Sequence, residues 1–147
     1  MPLLNGRCSC GSVAFKFFSN TVFAYQCHCS ICRKATGSAF STTVMASEAD
    51  FEWTCGQEKI TTYTKESGYK VSFCSQCGSP VPNRFRGLPL YTVPAGSLED
   101  SDSLKIEVHL HLGSKATWDL KPEAGHQFNE IPSLRTVLEL LHAECEP

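Results

Sequence analysis

The chain has 147 residues, of which 41% are hydrophobic and 19% are charged, and its formal net charge is −2. These totals are typical of a soluble globular domain and argue against the basic surface that nucleic-acid binding requires. No apolar run approaches the ~18 residues of a membrane span, and the N-terminal residues lack the apolar core of a signal peptide. With nine cysteines, the chain is therefore expected to be a cytoplasmic thiol or metal protein.

Short strands separated by turns are predicted along most of the chain. Their regular spacing predicts antiparallel sheets, because βαβ crossovers would need more residues between strands. The predicted strands are Ser12–Phe18, Thr21–Gln26, Ala39–Ala46, Phe51–Thr54, Lys59–Thr64, Tyr69–Phe73, Val81–Phe85, Leu90–Val93 and Leu104–Leu112.

Only the C-terminal end predicts a helix. Pro132-Ser133 is a start signal, and apolar residues then recur with helical spacing at Leu134, Val137, Leu138 and Leu141. This stripe is expected to dock on a sheet. The sequence therefore predicts one mostly-β domain over residues 1–147 with a short C-terminal helix.

Three cysteines, Cys27, Cys29 and Cys32, form a C-x-C-x₂-C pattern, called the triplet below. A disulfide framework does not suit this spacing, because C-x-C neighbours bridge only with strain and a third thiol would remain. Three thiolates on one loop can instead converge on one soft cation, and zinc is the candidate. Three protein ligands leave one tetrahedral position open, as in catalytic zinc sites.

Four further cysteines occur in two pairs, Cys8 with Cys10 and Cys74 with Cys77, and each pair is followed by a glycine. The economical division is a closed site of these four residues and an open site at the triplet. A structural zinc in the closed site would stabilise only the folded chain. The spacing alone also allows a different pairing of the clusters or one iron–sulfur cluster.

The residues around these cysteines resemble a known family. The motifs are G-R-C-x-C-G-x-V-x-F at 6–15, C-H-C-S-x-C-R-K-A-T-G-S-A-F at 27–40 and F-C-x-x-C-G-S-P at 73–80. They are similar to the glutathione-dependent formaldehyde-activating (GFA) family, which includes centromere protein V, and H-L-G-S-K-A-T-W at 111–118 resembles its closing motif. The resemblance covers roughly residues 6–130 and leaves 131–147 as a C-terminal helix and tail.

The resemblance implies a β-tent fold of small antiparallel sheets organised around zinc sites. It also implies two zinc ions per chain, with allowance for a partly empty second site. The structural zinc would be held by Cys8, Cys10, Cys74 and Cys77, and the catalytic zinc by Cys27, Cys29 and Cys32. The implied activity is that of a carbon–sulfur lyase that joins glutathione, or a similar small thiol, to formaldehyde or another small carbonyl. The alternative is a non-catalytic zinc-binding scaffold or partner-binding protein on the same fold.

Several residues near the triplet are candidates for substrate contact. His28 lies between two ligands, so its side chain should point away from the metal, yet it remains a candidate contact or proton carrier. Ser38 is a candidate hydrogen-bond donor to a reacting oxygen, although it also suits a turn. A basic rim would attract anionic glutathione, with scattered surface charge as the alternative. Its candidate members are Arg33, Lys34, Arg84 and Arg86.

The remaining residues of interest have plainer expected roles. Cys55 is expected to be a thiol at the edge of a turn, and Cys145 a free thiol near the C-terminus. His109 and His111 share a face of the Leu104–Leu112 strand with charged residues, so a solvated face is expected, with a role near the active site as the alternative. Trp118 is expected to pack in the core or on a sheet.

Overall fold

The computed structural model describes residues 2–20 and 22–143, and within these it contains eleven strands and two α-helices. The helices are α1 (Ser30–Thr36) and α2 (Leu134–Leu140). The strands are β1 (Leu3–Arg7), β2 (Ala14–Phe18), β3 (Phe23–Cys27), β4 (Ser41–Ser47), β5 (Phe51–Cys55), β6 (Ile60–Thr64), β7 (Lys70–Cys74), β8 (Asn83–Arg84), β9 (Leu90–Pro94), β10 (Lys105–Leu110) and β11 (His126–Gln127).

The strands form three sheets, so the prediction of a mostly-β chain with small sheets is confirmed. Their orders are β1-β2-β5, β11-β10-β3-β4-β9-β8 and β6-β7. Most neighbours are antiparallel, but β10 pairs parallel with both β3 and β11. The predicted antiparallel pairing is therefore confirmed for the other strand pairs and wrong for these two. Residues 95–104 carry the chain from β9 across to β10 with a short 3₁₀ turn but no α-helix, so that β10 enters the sheet in the direction of β3.

One core lies between the three-stranded sheet and one face of the six-stranded sheet. The alternation in β2 places Phe15 and Phe17 in this core, against Val44 of β4 and Val93 of β9. Gly6 of β1 lies opposite Phe15, and a Cβ there would come within 2.2 Å of the ring. The aromatic rings of β2 therefore require a residue without a side chain on β1.

A second core covers the opposite face of the six-stranded sheet. Met45 belongs to it, whereas its neighbours on β4 belong to the first core, because successive strand residues point to opposite faces. Val137 and Leu141, at α2 and its C-terminal end, pack with Val108 and Leu110 of β10. The predicted docking of the C-terminal helix on a sheet is confirmed. Its predicted start is confirmed too, because the Ser133 hydroxyl caps the first turn.

A second helix, α1, was not predicted from the sequence. It begins after Cys29, whose side chain accepts a hydrogen bond from the backbone N–H of Cys32, and it ends at the left-handed residue Gly37. Only Cys32 of this helix is buried. A helix of two turns with one buried residue leaves no apolar periodicity, and cysteine is not among the usual N-cap residues.

Other elements and side chains also differ from the sequence-based expectations. The two outer strands β1 and β11 were not predicted, and most predicted strand ends differ by one or two residues from those observed. Trp118 is 71% exposed, so its expected packing in the core or on a sheet is wrong. The described residues contain no helix long and apolar enough to cross a membrane. Cys145 lies outside the described residues.

Candidate metal centres

The four paired cysteines come together although they lie on distant segments. Cys8 and Cys10 follow β1, whereas Cys74 ends β7 and Cys77 lies in the turn that follows. The four sulfurs all lie within 4.8 Å of one another. The sulfur of Cys10 lies 3.6 Å from that of Cys8 and 3.8 Å from that of Cys74, which is 64 residues away. This cluster therefore joins the N-terminal hairpin to the β7 turn.

Two tight turns shape this cluster. The backbone N–H of Gly11 donates to the carbonyl of Cys8 at 3.0 Å, and that of Gly78 donates to the carbonyl of Cys74 at 2.8 Å. Both glycines have positive φ, 77° and 75°, which residues with a Cβ adopt only with strain.

Hydroxyl groups surround the same cluster. Ser79 Oγ lies 3.2 Å from the sulfur of Cys77 and accepts a hydrogen bond from the backbone N–H of Ser9. The side chain and backbone of Ser79 lower the pKa of Cys77 to about 5. Ser12 Oγ donates to Gln76 Oε1 at 2.7 Å, which ties the two turns together. Ser79 thus favours the thiolate form of Cys77, which is the form that binds metal.

The triplet forms a second cluster at the end of β3. Cys27 is the last residue of that strand, Cys29 caps α1, and Cys32 lies in its first turn. Their sulfurs lie within 4.8 Å of one another, and those of Cys27 and Cys29 are 3.5 Å apart. The strand end and the helix start therefore direct three thiols to one point.

Both clusters have the dimensions of a zinc site. Zinc–sulfur bonds of about 2.3 Å in a tetrahedron place the sulfurs about 3.8 Å apart. The separations of 3.6 and 3.8 Å in the first cluster and 3.5 Å in the second agree with this value. The four-cysteine cluster supplies a complete tetrahedron, whereas the triplet supplies three ligands and leaves one position open.

The thiols of the triplet share their protons unequally. The pKa of Cys32 is lowered to about 5, first because the Cys27 thiol donates a hydrogen bond to its sulfur, and also because the Ser41 and Tyr69 hydroxyls do so. The same hydrogen bond, together with burial, raises the pKa of Cys27. Cys32 is therefore the thiolate of the pair before a metal binds.

Tyr69 and Ser41 are site residues that the sequence did not reveal. Tyr69 Oη lies 3.7 Å from the sulfur of Cys32, across 37 positions of the chain. Ser41 is the residue of β4 that pairs with Cys27 of β3. No motif connects these hydroxyls with the triplet, because the turn between β6 and β7 and the register of β3 with β4 bring them there. Burial, followed by the charge of Cys32, raises the pKa of Tyr69.

His28 lies on the other side of β3 from the sulfurs. Its side chain is 1% exposed, and its Nε2 lies 3.3 Å from Nδ1 of His109, which is also buried. Its Nδ1 lies 3.8 Å from Asp119 Oδ2. These rings line a cavity of about 440 Å³. The prediction that His28 points away from the metal ligands is confirmed, and the expected solvation of His109 is wrong because its ring packs against that of His28.

The predicted basic rim is largely engaged in protein contacts. Arg33 Nη2 donates to the carbonyl of Ser114 at 3.4 Å, and Arg86 Nη1 donates to the carbonyl of Ser67 at 2.9 Å. Arg84 forms an ion pair with Glu48. Lys34 and Ser38 are exposed on α1 and just after it.

The other singled-out residues lie apart from both clusters. Cys55 is exposed at the end of β5, and its sulfur lies 3.5 Å from the carbonyl oxygen of Ser12. It is absent from the metal-ligand groups found among the described residues, as expected for a thiol at a turn edge. His111 has a positive φ of 56° and follows β10, at the start of a short 3₁₀ turn.

Comparison with known proteins gives a consistent result. A family model described as "GFA: Glutathione-dependent formaldehyde-activating enzyme" matches residues 3–114. A Halomonas elongata protein named "Putative glutathione-dependent formaldehyde-activating enzyme" is 33% identical over 124 residues, 79% of each chain. A crystal structure of a Rhodobacter sphaeroides protein matches with a TM-score of 0.56 and 26% identity, covering 71% of this chain and 98% of that one. Both cysteine clusters and Tyr69 fall within the range matched by the family model.

Proposed function

Since the chain belongs to the glutathione-dependent formaldehyde-activating enzyme family, we propose that it is a zinc-dependent carbon–sulfur lyase. The reaction joins a thiol, glutathione or a similar one, to formaldehyde or another small carbonyl. The enzyme acts in the cytoplasm as a single domain of the β-tent type. It carries a structural zinc in the four-cysteine cluster and a catalytic zinc at the triplet. The reducing cytoplasm suits the eight described cysteines, because all of them are free thiols.

The convergence of the three triplet sulfurs is the observation that carries this proposal. Cys27 and Cys32 are buried while Cys29 is partly exposed, so a small molecule reaches the cluster from the side of Cys29. Zinc bound there would keep its fourth position for the substrate thiol and hold that sulfur as a nucleophilic thiolate. The four-cysteine cluster has no such free position, so it supports the fold and not the chemistry.

The protein around the triplet fixes the ligands and limits the access of water. The N-cap of α1 fixes Cys29 relative to Cys32, and the second core packs behind Cys27 and Cys32. Binding the thiol and the carbonyl at one place removes the entropy cost of their encounter. Arg33 and Ser38 remain our candidates for contact with the bound thiol. His28 contributes by supporting the loop from the opposite side of β3.

A spectroscopic titration tests this proposal directly. Cobalt replaces zinc in both centres, and glutathione is then added to the cobalt protein. A thiol that binds at the triplet changes the sulfur-to-cobalt charge-transfer bands, whereas the closed four-cysteine centre is unaffected. Protein with two bound metals and no spectral change at millimolar glutathione contradicts the proposal. A panel of other thiols then shows whether glutathione is only the wrong substrate or whether the protein is a non-catalytic scaffold.

A further inference from the structure

The turn between β6 and β7 places a phenol beside the candidate catalytic centre. Tyr69 Oη lies 3.7 Å from the sulfur of Cys32. The Tyr69 ring is half-buried and packs on the same apolar cluster that contains Cys27 and Cys32. The hydroxyl is therefore directed at the triplet while the ring is held by its apolar neighbours.

The turn that carries this residue is fixed by several contacts. The backbone N–H of Lys65 donates to the carbonyl of Tyr69 at 2.8 Å, and that of Gly68 donates to the carbonyl of Lys65 at 2.8 Å. Arg86 Nη1 donates to the carbonyl of Ser67 at 2.9 Å. A Cβ at Gly68 would lie 1.4 Å from the same Arg86 nitrogen, so the guanidinium lies directly on the turn. Tyr69 is thus held on a well-supported turn.

The sulfur of Cys32 has two hydroxyl neighbours. Ser41 supplies one hydrogen bond to it, and Tyr69 supplies the other. At 3.7 Å the contact from Tyr69 is long, and a hydroxyl hydrogen rotates freely to suit its acceptor. While Ser41 keeps its hydrogen bond to the Cys32 sulfur, the Tyr69 hydroxyl can rotate to donate to a substrate oxygen that binds beside it.

We propose that Tyr69 is a catalytic residue whose hydroxyl donates a hydrogen bond to the oxygen of the carbonyl substrate. This role rests on the proposed function. A sulfur lone pair forms the new carbon–sulfur bond, and the π electrons of the carbonyl move to its oxygen. That oxygen takes a proton from water, and the proton released when the substrate thiol ionised has already passed to the solvent. Tyr69 keeps its own proton and stabilises the negative charge as it develops.

The test compares Tyr69→Phe with Tyr63→Phe in zinc-loaded protein. Phenylalanine keeps the packing of the ring and removes only the hydroxyl. Tyr63 lies on the neighbouring strand β6 and is 59% exposed, so it controls for the loss of a tyrosine hydroxyl in the same sheet. Tyr69→Phe should lower kcat about a hundredfold, with the zinc content and the KM for the thiol unchanged. Tyr63→Phe should match the wild type.

A binding measurement gives a readout that does not depend on turnover. In the cobalt-substituted protein, 2-mercaptoethanol and 1-propanethiol are compared, because they have equal numbers of heavy atoms and differ in a terminal hydroxyl. The wild type should bind the hydroxyl-bearing thiol about fivefold more tightly than the apolar one, and Tyr69→Phe should lose this preference. Tyr63→Phe should keep it.

The outcomes separate this role from the proposed function. If the wild type turns over and Tyr69→Phe has the same kcat, the role of Tyr69 is overturned and the proposed function stands. A variant that loses zinc but keeps its rate per bound zinc shows that the hydroxyl supports only the Cys32 sulfur, which also overturns the role. Wild-type protein that carries two zinc ions and turns over none of the thiols contradicts the proposed function, and the catalytic role of Tyr69 falls with it.

Discussion

His28 Nε2 lies 3.3 Å from His109 Nδ1, on the opposite side of β3 from the sulfur of Cys27. Two neutral imidazole rings can share one N–H between these two nitrogens, with one ring as donor and the other as acceptor. Burial lowers the pKa of both rings, which favours this neutral pair. This contact between the two rings connects the triplet loop to β10.

Removal of the contact between His28 and His109 should destabilise the fold. His109→Ala leaves Nε2 of the buried His28 without its hydrogen-bond partner, which should cost about 1–3 kcal/mol of unfolding free energy. Urea denaturation of zinc-loaded protein measures the loss. His126→Ala is the control, because His126 is exposed on β11. Equal stability of the two variants would show that the imidazole pair contributes nothing to the fold.

The two metal centres should differ in their effect on folding. Cys74 belongs to the centre that joins segments 64 residues apart, and a structural zinc contributes on the order of 10 kcal/mol, comparable with the stability of a whole domain. Cys74→Ala should therefore be insoluble or largely unfolded. Cys29→Ser should stay folded with about one zinc fewer, because the triplet is local in sequence. Circular dichroism melts and zinc counts decide, and the reverse pattern would mean that the two roles are exchanged.

The sulfur of Cys32 should be reactive in protein whose triplet is metal-free. Its pKa is lowered to about 5, so its thiolate is present at any pH above that value. Its alkylation by iodoacetamide should then change little between pH 6 and pH 8, whereas an ordinary thiol with a pKa of about 8.5 reacts almost tenfold faster per pH unit in that range. Mass spectrometry locates the label, with free cysteine as the reference. A Cys32 rate that rises as steeply as the reference rules out the lowered pKa.

Arg33 provides a test of how glutathione is held. If its guanidinium binds a glutathione carboxylate, Arg33→Ala removes a charge-assisted hydrogen bond and should raise the KM for glutathione about tenfold or more. The KM for 1-propanethiol should not change, because that thiol has no carboxylate. Arg135→Ala, which removes an exposed arginine on α2, is the control. An equal change for both thiols would point instead to the Arg33–Ser114 contact as a support of the site.

The cysteine clusters could be predicted from the sequence because the members of each segment are set by local spacing. The C-x-C-x₂-C segment of the triplet is one strand end and one helix turn, so its sulfurs converge whatever the rest of the chain does. The grouping of Cys8 with Cys74 followed from dividing the clustered cysteines into four and three and was supported by the family resemblance, and the observed sulfur positions agree with it. Strands in which apolar and polar residues alternate, such as β2, could also be predicted, because one face of each is buried.

The rest of the site depends on tertiary contacts that have no local pattern. Tyr69 reaches the triplet only through the position of the β6–β7 turn, and Ser41 only through the register of β4 with β3. His109 alternates with Val108 and Leu110 as in a strand with one solvated face, yet a second buried ring covers it. The parallel entry of β10 is likewise decided by the path of residues 95–104 and not by the strand sequence.

The rate of S-hydroxymethylglutathione formation tests the central claim most directly. Exchange spectroscopy with ¹³C-labelled formaldehyde measures this rate above the spontaneous reaction, for wild-type protein with two bound zinc ions and for Cys29→Ser. The account predicts a rate that rises in proportion to wild-type protein and equals the background with Cys29→Ser. A wild-type rate equal to the background, for glutathione and for every other thiol tried, would contradict it.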